Sequence, residues 1–88
     1  METIYADFNN RDEHDRVRLN SRGSLQDIER LGPTVHRGLE VWLADEEGRA
    51  RATLDLVHAT WVGLPKWDSW EETPYKPPEE LPAVRFGS

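Results

Sequence analysis

The sequence predicts a small, mainly β barrel of about five strands with one short helix. Apolar residues alternate with polar ones in several short stretches, only one segment has helical spacing, and turn-forming residues separate the alternating runs. Eighty-eight residues without a cysteine leave room for one domain. No disulfide or thiolate-bound metal can staple it, so the chain depends on a compact core and its hydrogen bonds.

In the first strand Ile4, Ala6 and Phe8 share one side, and Asn9-Asn10-Arg11-Asp12-Glu13 follows as a polar turn. Val17 and Leu19 point inward from a second strand, between outward Arg16 and Arg18. The helix comes next, with Ser24 as its cap, Asp27 at the reciprocal capping position, and Leu25, Ile28 and Leu31 on one face. Gly32-Pro33 ends it after about two turns, too short to stand without packing on the sheet.

Leu39, Val41 and Leu43 form the inner face of a third strand, with Glu40 and Trp42 outside. The fourth places Ala50, Ala52, Leu54 and Leu56 inside and Arg49, Arg51, Thr53 and Asp55 outside. Asp45-Glu46-Glu47-Gly48 joins the two as a hairpin loop in which glycine supplies positive φ. A turn at His58-Ala59 leads to a fifth strand over Thr60–Leu64, which Pro65 ends. Such short, bent strands with a helix plugging one end suit an SH3-like barrel, a closure that protects strand edges.

The barrel is assigned to residues 1–70, and 71–88 form a proline-rich acidic tail, extended or disordered, with prolines at 74, 77, 78 and 82. Its Pro74-Tyr75-Lys76-Pro77 stretch has the spacing that aromatic grooves accept, and the expectation is that it packs over Trp42 and the Trp61–Trp70 cluster of its own barrel.

The elements Ala6-Asp7-Phe8-Asn9-Asn10, Val17-Arg18-Leu19-Asn20, Gly23-Ser24-Leu25-Gln26-Asp27, Gly38-Leu39-Glu40-Val41 and Trp61-Val62 resemble a family of small uncharacterised bacterial proteins over residues 5–67. The resemblance implies a bacterial or phage origin and an intact compact unit, and no activity. The tail lies outside it.

Eleven basic and seventeen acidic residues give a net charge of −6, which argues against broad contact with phosphates or anionic lipid. No apolar run is long enough for a membrane span, and the first residues lack the pattern of a secretory signal, so a cytoplasmic address is expected. His14, His36 and His58 are too scattered for a local zinc motif, the glycines are isolated, and no serine has a nucleophile-elbow context. The expectation is a protein that is not an enzyme and needs neither cofactor nor metal.

The aromatic residues are the sharper clue. Trp61, Trp67 and Trp70 fall within ten residues and Trp42 faces outward, where a bare indole exposing up to about 250 Å² is costly unless something covers it. The predicted partner-binding set is Trp42, Trp61, Trp67 and Trp70, with Arg49 and Arg51 beside them. A protein partner or self-association is expected. The alternative is a nucleic-acid or ribonucleoprotein accessory role through Arg16, Arg18, Arg49 and Arg51, should the second and fourth strands be neighbours.

Overall fold

In a computed structural model that describes residues 1–77, the alternating stretches form five strands: β1 (Thr3–Tyr5), β2 (Val17–Arg18), β3 (Glu40–Ala44), β4 (Arg49–Val57) and β5 (Thr60–Glu71). Helix α1 (Arg22–Leu31) runs into a 3-10 turn, Gly32–Thr34, between β2 and β3. The sheet order is β1-β3-β4-β5-β2, antiparallel except where β1 pairs parallel with β3. That parallel pair needs a long crossover, which β2 and α1 supply. The result is the small barrel-like α+β domain that the alternation implies, a curled sheet with one short helix.

The core is Ile4, Ala6, Val17, Leu19, Val41, Leu43, Ala52 and Leu54, all buried, and Phe8, Ile28, Leu31, Val35, Leu39 and Trp61 pack around it. Burial of each Leu, Ile or Val contributes about 1.5–3 kcal/mol, the main favourable term in a chain this short. The turns also form as their residues require. Asp12 accepts the amides of His14 and Arg16 at 2.8 and 2.9 Å, and His58 and Ala59 both take positive φ, 50° and 63°, in the β4–β5 hairpin.

The helix differs from expectation in its start. Its cap is Ser21, whose Oγ accepts the amide of Ser24 at 3.3 Å, and not Ser24 itself. Ser24 and Asp27 stand three residues apart on one helical face, and both are buried against β1. The Ser24 hydroxyl donates to the Tyr5 carbonyl at 2.5 Å, and Asp27 accepts the Tyr5 amide at 2.8 Å. The pair read as reciprocal caps thus joins helix to sheet, and the helix is ten residues long, nearly three turns. The same placement turns Leu25 to solvent, while Ile28 and Leu31 keep their contact with the core. Leu56 is exposed as well, because it lies beside the terminal hairpin turn and no element covers it.

Two further expectations are corrected, in β5 and in the β3–β4 loop. Pro65 does not end β5, which continues to Glu71. β2 pairs only with Val62 and Gly63, so from Leu64 onward one side of β5 has no strand partner, where a residue lacking N–H is tolerated. Gly48 has no positive φ. It is needed for space, since a Cβ there would stand 2.5 Å from Trp70 Cζ2, and Asp45 closes the loop instead by accepting the amides of Glu47 and Gly48 at 2.8 and 3.1 Å.

Candidate functional site

The register of β4 and β5 breaks at one place. Arg51 lies opposite Lys66 and Arg49 opposite Glu71, so two steps along β4 correspond to five along β5. The surplus, Trp67 to Trp70, bulges off the sheet, as an insertion into one strand of a pair must. Ser69 repairs the ladder there: its hydroxyl accepts the Arg51 amide at 2.8 Å and donates to the Lys66 carbonyl at 2.5 Å.

Both bulge tryptophans remain over a third exposed, Trp67 at 38% and Trp70 at 37%. Phe8 packs against both, with ring centroids 5.5 and 5.7 Å away. Arg11 lies 5.4 Å over Trp67, and the Trp67 indole N–H donates to Asp15 at 3.4 Å. Trp70 lies over Gly48. The bulge therefore has a fixed shape although much of its aromatic surface is open.

Trp42 faces outward as expected, opposite Arg51, but its covering was not foreseen. The Arg49 guanidinium stacks 3.9 Å above the indole and is itself held by Glu71 at 2.9 Å. Trp42, Arg51, Asp68, Ser69 and Trp70 line one shallow groove beside Met1. Arg51 forms no ion pair among the described residues. Its neighbour Glu40 pairs with Lys66, whose hydrogen bond and charge hold the Glu40 carboxyl below its ordinary range, with a smaller contribution from Arg51.

The structure thus brings Trp42, Trp67, Trp70, Arg49 and Arg51 to the bulge and its flank. Trp61 is elsewhere, on the inner side of β5 and packed against the core. Strands β2 and β4 are not neighbours, since β5 lies between them. The outward arginines therefore form no continuous row, and Arg16, Arg37 and Arg49 are engaged by Asp12, Asp55 and Glu71. The Asn10 side-chain amide donates to the Asn20 side-chain oxygen at 2.6 Å, and the Asn9 backbone amide donates to Asp7 at 3.0 Å. The three histidines are exposed, and among the described residues no group of three His, Asp or Glu side chains has metal-holding geometry.

The expected docking of the tail over the tryptophans is corrected for its described part. Residues 78–88 lie outside the described residues, but Thr73 to Lys76 run past Thr3, Ala44 and Arg49. Tyr75 then packs edge-on against Tyr5, centroids 5.3 Å apart, and its hydroxyl donates to Asp27 at 2.9 and 3.2 Å. Its amide donates to the Asp45 carbonyl at 2.6 Å. Burial, the hydrogen bond to Asp27 and the charge of that carboxylate raise the Tyr75 phenol to about 12. Sequence reasoning missed this assembly because Asp27 read as a helix cap and Tyr75 as one side chain of a proline-rich stretch.

Among the described residues no helix is long and apolar enough to cross a membrane. No family model, no curated protein and no solved structure matches this chain.

Proposed function

We propose that the protein is a non-catalytic binding module that recognises a protein partner through the groove of Trp42, Arg51 and Trp70, with Trp67 at its margin. One observation carries the reading. The sheet spends a multi-residue bulge on placing Trp67 and Trp70 outward, buttressed by Phe8 and Gly48 yet over a third exposed. Rigid, half-exposed tryptophans beside an unpaired arginine are the residue types that dominate protein interfaces, since large ordered side chains gain contact area with little entropy to lose. Arg51 then selects for a carboxylate on the partner, close to the aromatic anchors.

The nucleic-acid alternative draws less support from the fold, because the arginines it requires are separated by β5 and two of the four, Arg16 and Arg49, are engaged by carboxylates. A cytoplasmic, bacterial setting remains part of this proposal, and the resemblance of residues 5–67 to small bacterial proteins supports its bacterial part.

Affinity capture from a source-cell lysate tests the reading, using the full chain beside a Trp42→Ala/Arg51→Glu variant of matched thermal stability. The proposal expects a discrete protein retained by the wild type and lost by the variant. A protein retained equally by both would place recognition on another surface.

A further inference from the structure

We propose that the recess between Tyr5 and α1 is a receptor site for an extended peptide bearing a tyrosine between prolines, and that Pro74–Pro77 occupies it as a resident ligand. This site uses other residues than the tryptophan groove and stands without it.

The recess is organised around the Asp27 carboxylate. Asp27 is 3% exposed with the segment in place, and the Tyr5 amide at 2.8 Å and Arg30 at 3.1 Å hold its carboxylate independently of the tail. Its oxygens accept the Tyr75 hydroxyl at 2.9 and 3.2 Å. Gly23 lets the helix approach closely enough to form the wall, since a Cβ at that position would stand 2.8 Å from the Tyr5 ring. Tyr5 supplies an aromatic partner for the incoming ring, at 5.3 Å and 83°, and the Asp45 carbonyl accepts the backbone amide of the same residue at 2.6 Å. Phenol, ring and amide of one tyrosine are therefore all recognised. A phenylalanine would leave the buried carboxylate with one donor fewer, and a buried acceptor that loses its partner is costly.

The grip is confined to that residue. Thr73, Pro74, Lys76 and Pro77 are exposed and only Tyr75 is half-buried, so release of the segment requires little more than withdrawal of one side chain. An open space of roughly 500 Å³ lies beside the docked Tyr75 and Pro77, walled by Tyr5, Gly23, Gln26, Asp27 and Arg30. Proline flanks suit such a site because an already extended backbone loses little entropy on docking. The resident segment competes with any external peptide at an effective concentration on the order of millimolar, as short tethers give.

The test uses a labelled, end-blocked peptide of residues 72–78 and the full chain carrying Tyr75→Ala. The expected result is binding to the variant with a Kd at or below about 0.1 mM and at least about tenfold weaker binding to the wild type, whose own segment competes at about 1 mM. A peptide with phenylalanine in place of tyrosine is expected to bind at least about fivefold more weakly than the tyrosine peptide. No binding by a variant with native circular dichroism, or equal binding of the two peptides, overturns the proposal. Should the variant fail to fold, excess peptide is added to isotope-labelled wild type. Amide shifts at Gly23, Gln26 and Asp27 with displacement of the Tyr75 signal support the site, and shifts confined to other residues overturn it. A concentration-dependent wild-type dimer that Tyr75→Ala abolishes would make a second copy the occupant and overturn the assignment to a separate peptide.

Discussion

Two regions of this small sheet treat their side chains in opposite ways. Where β1 meets α1, polar atoms are buried and satisfied: Ser24 bonds the Tyr5 carbonyl, and Asp27 serves Tyr5, Arg30 and Tyr75 together. Where β4 meets the end of β5, register is broken and aromatic surface is left open at Trp67 and Trp70. Both regions are held by contacts, so the difference lies in what is buried and what is left open. A buried carboxylate with three partners holds a fold together, since each unpaired donor left behind is costly. Exposed, buttressed tryptophans add little to stability for their size and are suited to contact with another surface.

The contrast predicts a ranking of effects. Asp27→Ala is expected to cost about 3 kcal/mol, as the Tyr5 amide and Tyr75 hydroxyl lose their acceptor together; a urea midpoint close to wild type would show that this contact is not what holds the helix. Gly48→Ala, which drives a Cβ against Trp70, is expected to lose about 2 kcal/mol by overpacking, visible as a lower melting temperature with altered tryptophan fluorescence. Removing only the phenol oxygen, Tyr75→Phe should lower stability by about 1 kcal/mol in calorimetry. Trp42→Ala is expected to change stability least, by about 1 kcal/mol or less, the scale of an exposed cation–π contact, while abolishing partner capture.

A pH titration tests the tail contact and the β1–β2 turn separately. The Tyr75 phenol is raised from 10.0 to about 12 in the folded chain, so the folded state holds its proton more tightly than the unfolded one. Its contribution is complete below pH 10 and is lost as pH rises toward 12. Fluorescence-monitored unfolding should show that loss in the wild type and a smaller one in Tyr75→Phe. Asp12 behaves in the opposite sense. Burial works against its ionisation, but the amides of Arg16 and His14 and the Arg16 guanidinium outweigh it and hold the carboxyl at about 2, from 3.8. Its contribution is therefore present above pH 4 and is lost as pH falls toward 2.

The fold was legible wherever a residue's environment is set by its immediate neighbours. Val17 and Leu19, Val41 and Leu43, and Ala50, Ala52 and Leu54 alternate into the core as read, and Gly32 stops the helix as its φ of 56° allows. The reading failed where a distant segment decides. Ser24 and Asp27 have the spacing of a capping box, but β1 offers them unpaired backbone groups nineteen and twenty-two residues away in sequence. Pro65 signals a strand end by local rule, and only the short reach of β2 makes it harmless. Gly48 looks like a turn glycine, while the Trp70 ring that needs its missing side chain is twenty-two positions on. Trp42 was correctly placed outside, but its arginine cover depends on β-sheet register, which alternation does not specify.

The central claim is that the bulge of β5 exists to present an interface. Site-specific photo-crosslinking addresses it directly, with the reactive side chain placed at Asp68, an exposed bulge residue lining the Trp42 groove, or at Leu25, exposed on the helix. The account predicts a discrete protein adduct from position 68, lost when Trp42→Ala is added, and none from position 25. Adducts of equal yield from both positions, or an adduct at 68 that persists without Trp42, would contradict it.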